Sequence, residues 1–416
     1  MSVSAQTLIP VSKGYSQTSV NTAIFRANAI VTHKNTQFIA FYDEQEYLVL
    51  GKRALGSGNW ELKRSKYKGN CSDAHNIISI MIDGEGYLHT SFDHHGNPLK
   101  YCRSLYPLSL DLGELQPMLN EQEENVTYPE FYKLSNGDLI FAYRDGSSGR
   151  GNLVMNRYDV KSKLWSRIHK VLIDGENQRN AYWQIAVDHN DYIHISWVWR
   201  ESWLVESNHD LCYAYSKDGG KTWLNSKQEK YTLPINAKNA EYVAHIPQNS
   251  ELINQTSMVT DQKGYPYIAT YWRNEDSTIP QYRIVWFNGE KWQTSQVSNR
   301  KVPFSLSGGG TKRIPISRPK LVVNHKKDST VECFFMFRDE ERNSKVSIAH
   351  TNDLNQNSWI NKDYTTFSVD AWEPNFDTNL WKEQEKLHLF VQRNGQGDGE
   401  QKEQLNPEMI YILEVN

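Results

Sequence analysis

The chain has 416 residues, with 46 basic against 49 acidic side chains and a formal net charge of −3. No basic excess advertises a nucleic acid, no acidic run forms a solvating tail, and no apolar stretch reaches the roughly 18 residues of a membrane span. Neither nucleic acid nor membrane is therefore an expected partner. Cys71, Cys102, Cys212 and Cys333 are scattered through the chain and read as buried thiols, with no disulfide framework. The opening residues, MSVSAQTLIPVSKGYS, lack a basic and then apolar leader. The expected location is cytoplasmic, or periplasmic or secreted if a leader was trimmed.

In chain order, one pattern recurs seven times: a short run of strand-forming residues ending in an aromatic or apolar residue and then a polar one. The runs are FIAFYDEQ (38–45), YLHTSFDHHG (87–96), DLIFAYRDG (138–146), YIHISWVWRE (192–201), YIATYWRNE (267–275), ECFFMFRDEE (332–341) and LHLFVQRNG (387–395). A β-branched or aromatic segment precedes each, from AIVTH to EPNFDTNLW, and a third follows each, from YLVLGKRAL to EMIYILEV. Seven such units without an intervening linker predict an all-β fold, a single seven-bladed β-propeller spanning 1–416. No helix is expected. The early TLIPV is expected to add a strand to the last blade and close the ring. Ser216 to Trp223, S-K-D-G-G-K-T-W, resembles the Asp-box (BNR) hairpin on the outer edge of sialidase-like blades.

In an antiparallel blade, the start of the first strand and the end of the second share one edge. The starts supply His75, Tyr128, Glu130, Tyr182, Asn254, Arg318 and Glu373; the ends supply Asp43, His94, His95, Arg144, Asp145, Arg200, Arg273, Arg338 and Arg393. Any one of these Arg residues has a plainer role, tying its blade to a neighbour's acid. Collected on one face, they exceed the acids available, and the surplus suits an anionic ligand. Arg grips a carboxylate through a fork, and His and Tyr move protons. Without an obvious carboxylate pair, glycoside hydrolysis is disfavoured. Proton abstraction next to a uronate carboxylate, followed by loss of the C4 oxygen, fits better.

The segments HNIISIMIDGEGYLHTSFDHHGNPLKYCRS, TYPEFYKLSNGDLIFAYRDGSSGRGNL and LIDGENQRNAYWQ resemble the BNR-4 propeller proteins, a group that includes seven-bladed ulvan lyases of marine bacteria. The likeness covers nearly the whole chain and implies β-elimination on a uronate-containing poly- or oligosaccharide. It implies that His75 and Tyr128 transfer protons, that Arg144 neutralises the carboxylate and that His95 is a second active-site histidine. Tyr182, Arg200, Arg273, Arg318 and His94 are expected substrate contacts. Loss of water from a terminal uronate, a sialidase-like hydrolysis and simple sugar binding are the alternatives. If Arg charges gather here, they should lower the Tyr128 pKa.

Three other motifs carry weaker expectations. SLSGGGTKR (305–313) lacks phosphate-loop spacing and reads as a rim loop. His209-x-x-Cys212, with His189 and His194, offers part of a structural zinc site, and RNGQGDGE (393–400) has the oxygen density of a calcium loop. The chemistry itself is expected to require no cofactor and no metal.

Overall fold

The computed structural model describes residues 7–254 and 257–415. Seven antiparallel sheets succeed one another along the chain as the blades of a propeller. Their second strands are Thr36–Tyr42, Leu88–Phe92, Leu139–Ser147, Ile193–Arg200, Pro266–Trp272, Val331–Phe337 and Leu387–Gln392. Each falls on one of the seven runs. A blade is covered on both faces by its neighbours, so a middle strand buries alternate and intervening residues alike. All eight residues of Ile193–Arg200 are buried, including Trp197 and Trp199. The outermost strand of the first blade, Glu61–Lys68, is instead mostly exposed and lysine-rich, which keeps its free edge from pairing with another chain.

The ring closes as the sequence suggests. Thr7–Gly14 pairs antiparallel with Glu408–Val415, from Thr7 opposite Glu414 to Gly14 opposite Glu408. The Asp-box turn is self-bonded: Asp218 Oδ1 accepts from the Thr222 N–H at 2.9 Å, Ser216 Oγ accepts from the Gly220 N–H at 2.9 Å, and the Trp223 indole, fully buried, donates to Gly220 O at 2.9 Å. All four cysteines are free and buried.

Two expectations need correction. The segment 373–381, read as a strand, keeps only Asn375–Phe376 extended and then turns into a helix, Thr378–Gln384. Asp377 causes the switch: its side chain caps the helix through the Leu380 N–H at 3.0 Å while binding the Thr32 N–H of the first blade at 3.0 Å. The second correction concerns DHHG. His95–Asn97 leaves the second blade and pairs with Val126 and Thr127 of the third, which becomes five-stranded. No helix among the described residues is long and apolar enough to cross a membrane.

The N-terminal segment between the first two strands touches the second, third and seventh blades. Arg26, fully buried, donates to carbonyls of Ile78, Asn21 and Ala40; the Asn28 amide donates to Phe131 O at 2.6 Å; and the Ile24 N–H donates to Glu373 at 2.8 Å. Phe25 stands between two cavities and lines both.

Candidate active site

Strand register places the site. Thr127 opposes Arg144 in the third blade, and Asn180 opposes Arg200 in the fourth. First-strand starts and second-strand ends thus share one edge, where a pocket of about 150 Å³ opens. His75, His95, Tyr128, Arg144, Tyr182 and Arg200 all line it. The pairing skips between Thr127 and Glu130, and there Tyr128 adopts φ 57° ahead of Pro129. A bulky residue held in left-handed backbone costs about 1–3 kcal/mol, a strain that clusters at functional sites. Here it accompanies a phenol set in the pocket wall.

The arginines divide into two groups. Arg318 forks onto Glu373 at 2.7 and 2.6 Å, Arg273 meets Glu251 at 2.5 Å, and Arg393 meets Asp370 at 2.6 Å. These are ties between segments. Arg144, Arg200 and Arg338 differ. Arg144 donates to Thr127 Oγ1 at 3.2 Å, and its Nε and Nη1 are buried without a partner. Arg200 bonds only neutral oxygens, of Ser202, Asn254 and Trp203. Arg338 bonds the carbonyls of Trp372 and Ile314. All three are buried, line the pocket and have no carboxylate partner among the described residues. A buried cation left without an ion pair is unfavourable, and an anionic ligand is one way to satisfy such a surplus; Arg338 also feels Glu373, Glu340 and Asp339 at longer range.

Asp73 supports two histidines. His75 Nδ1 lies 2.8 Å from its Oδ1 and His95 Nδ1 2.5 Å from its Oδ2, and the two imidazoles stack with centroids 3.9 Å apart. Burial alone would lower the His75 pKa, but Asp73 and Glu400, 3.3 Å away, override it and hold it at about 9. The same pairing keeps Asp73 well below the ordinary carboxylate range against its own burial. His75 therefore carries its proton at neutral pH.

The phenols behave oppositely. Burial, and then Tyr182, pushes Tyr128 well above its usual value, although the Arg144 guanidinium sits 5.0 Å from its ring centre. Burial would also raise Tyr182, but Arg200 and Arg144 reverse the effect and bring it to about 8. The expected lowering thus belongs to Tyr182 and not to Tyr128. With ring centroids 6.1 Å apart, the two phenols titrate as a pair whose first proton is the easy one.

A sequence model of the BNR repeat-containing family matches residues 36–300. The chain belongs to that family. This BNR-family propeller is 28% identical over 189 residues to the long isoform of ulvan lyase from Pseudoalteromonas sp. (strain PLSV), covering 40% of this chain and 18% of that protein. It is 24% identical over 298 residues to an ulvan lyase from Alteromonas sp. (strain LOR), covering 62% of this chain and 59% of the relative. Among solved structures, a PL25 ulvan lyase superposes with a TM-score of 0.73 at 16% identity over 99% of this chain and 96% of the other. The same kind of lyase bound to -[GlcA(1-4)Rha3S]- superposes with a TM-score of 0.69 at 15% identity, over 99% and 96%.

Other expected site residues of the BNR-family propeller fall elsewhere. His94 is fully buried, accepts the Lys100 N–H at 2.8 Å and is pushed by burial to a pKa of about 3. It points away from the pocket because neighbouring residues of an extended chain face opposite sides, and His95 takes the open side. Arg273 lies outside the pocket lining, and Arg318 lines the pocket but is committed to Glu373. Glu130 belongs to the second cavity, of about 170 Å³ beyond Phe25, where it accepts from Tyr132 at 2.6 Å and Trp183 at 3.1 Å and burial raises it to about 7.

The zinc reading does not assemble. His209 is held by Asp210 and Glu201, His194 by Tyr213 and Asp188, and His189 lines the second cavity. Among the described residues, Asp73, His75 and His95 are the one group whose ligand atoms lie close enough together, within 4.8 Å, to chelate an ion. Their mutual hydrogen bonds already account for that arrangement. In the calcium-like run the carboxylates already serve as hydrogen-bond acceptors: Asp398 accepts the Arg313 N–H, and Glu400 accepts from Thr311 and Ala74. Sequence reasoning passed over Phe25 and gave Asp73 and Glu400 no place beside His75, although Asp73 lies two positions before it and Glu400 closes the run 393–400.

Proposed function

We propose that this chain is a carbon–oxygen lyase that eliminates across C4 and C5 of a uronate in an acidic, ulvan-type saccharide. The observation that carries the reading is Arg144: a forked, buried guanidinium without a carboxylate, set against two phenols and a charged imidazole. The likeness to ulvan lyases, one bound to a glucuronate–sulfated rhamnose unit, supports the same class of substrate. The chain spans 18% and 59% of the two ulvan lyases quoted above, so the activity rests on the site's own chemistry.

In this reading, Arg144 with Arg200 receives the C6 carboxylate and makes the C5 proton acidic. The Tyr128–Tyr182 pair, deprotonated once, takes that proton. The C5–H electrons form the C4=C5 double bond, the C4–O bond breaks, and the departing oxygen takes a proton from His75, whose orientation Asp73 fixes. His95 holds the substrate beside it. The step is complete with side chains alone.

Hydrolysis through two carboxylates is less well supported. Glu373 is occupied by Arg318, and Glu130 faces the other cavity. Incubation with a glucuronate–rhamnose sulfate polymer and its oligosaccharides tests the proposal. Conjugated enoate absorbance is expected, with product masses showing either chain cleavage or loss of one water. Cleavage without enoate would mean hydrolysis, and no change in mass or absorbance would leave a binding protein.

A further inference from the structure

Two glycine-rich runs, 305–313 and 393–400, meet beside the pocket. Gly308, Gly310 and Gly399 have φ of 77°, 72° and 65°, a region that suits glycine. A Cβ on Gly309 would come within 2.5 Å of the Trp203 ring, and one on Gly310 within 3.1 Å of the Gly399 Cα. The glycines therefore allow the loops to pack against each other and against the fourth blade.

Hydrogen bonds turn this contact into a strap. At one end the Val205 N–H donates to Gly308 O at 2.9 Å and the Gly308 N–H to Glu206 at 2.9 Å. In the middle the Gly399 N–H donates to Thr311 O at 2.9 Å, the Arg313 N–H to Asp398 at 2.8 Å, and the Thr311 N–H and hydroxyl both to Glu400 Oε1 at 2.7 Å. At the other end Glu400 Oε2 accepts the Ala74 N–H at 3.2 Å, and Oε1 lies 3.3 Å from His75. The strap thus runs from the fourth blade to the second by way of loops of the fifth to seventh, and Gly309 to Lys312 line the pocket.

The third blade, which carries Tyr128 and Arg144, is not part of the strap. His95 and Trp203 stand near the strap's two ends and line the pocket, His95 with 41% of its side chain exposed and Trp203 61% exposed. A flat indole on a rim is a surface on which a sugar ring stacks. A saccharide entering between His95 and Trp203 comes against Gly309 to Lys312 of the strap, which line the same pocket.

On the elimination reading above, we infer that the site takes the end of an acidic saccharide chain and that the strap of residues 308–313 and 398–400 excludes internal linkages. The leaving oxygen then belongs to a short terminal unit or to a terminal hydroxyl, departing as a free sugar or as water with the proton from His75.

The test compares a glucuronate–rhamnose sulfate polymer with its tetrasaccharide, following enoate absorbance alongside chain length by size exclusion. Early in the reaction the polymer should keep its length while one short product, or water alone, is lost. Mole for mole of chains, polymer and tetrasaccharide should react at similar initial rates. Fragments of intermediate length at the first appearance of enoate would overturn the end-binding inference and leave the elimination reading intact. No enoate from either substrate would overturn both. A double variant, Thr311→Val with Asp398→Ala, removes two strap bonds, those from the Thr311 hydroxyl to Glu400 and from the Arg313 N–H to Asp398, and if folded it should begin to release intermediate fragments. A folded variant with the parent's product pattern would also overturn the role of the strap. The wild-type pattern decides the proposal even if this variant does not fold.

Discussion

The guanidinium of Arg144 lies 5.0 Å from the ring centre of Tyr128, and two of its nitrogens are buried without a hydrogen-bond partner. On the proposed reading, this one contact joins the residue that receives the carboxylate to one that moves the proton. It arises from strand register, since Arg144 opposes Thr127, the residue before Tyr128.

Arg144→Lys keeps the charge and loses the fork. Turnover of a uronate oligosaccharide should fall by about 10²–10³-fold, the scale of removing one donor from a developing anion, while the melting temperature stays near that of the parent. Steady-state enoate formation checks it, and near-parental turnover would remove Arg144 from the mechanism.

The pH profile follows from two opposed shifts. The phenol pair must lose a proton, Tyr182 doing so at about 8, and His75 must keep one, which it does up to about 9. Activity should rise towards pH 8 and decline above pH 9. Asp73→Asn removes the first charge that raises His75, so the falling limb should move to lower pH. Because the folded His75 value lies above its ordinary 6.5, its contribution to stability is present in full below that value and is lost as pH rises through about 9. A falling limb that stays in place in Asp73→Asn would show that His75 does not set it.

The two tyrosines should fail differently. Tyr128→Phe and Tyr182→Phe should each lower turnover by about 10²-fold or more, the usual scale of general acid–base help. Only Tyr182→Phe should also move the rising limb well above pH 8, because the phenol that remains is the one pushed up by burial. Equal limbs in both variants would contradict the assignment of the easy proton.

Glu373→Gln tests the tie between blades. Glu373 binds Arg318 through both oxygens and also accepts the Ile24 and Arg318 backbone N–H groups. Both side chains are more than nine-tenths buried. Removing the charge should destabilise the fold by about 3–5 kcal/mol, measured by denaturant unfolding. A loss below about 1 kcal/mol would mean that Arg318 finds another partner.

The blade count, the seven middle strands, the closing strand Thr7–Gly14 and the edge that carries the site were legible in the sequence, because burial on both faces and a repeated turn leave a local pattern. The helix at Thr378–Gln384 and the transfer of His95–Asn97 to the third blade were not, because each depends on a partner far away in the chain: Thr32 for Asp377, and Val126 and Thr127 for the His95 strand. The residue types of the site could be read from strand ends, but their charge states could not. Which arginines keep a free charge depends on whether a neighbouring loop brings a carboxylate, as Glu373 does for Arg318 and none among the described residues does for Arg144. Which tyrosine ionises depends on how burial and two guanidiniums balance at each ring, and that balance exists only once blades three and four are packed side by side.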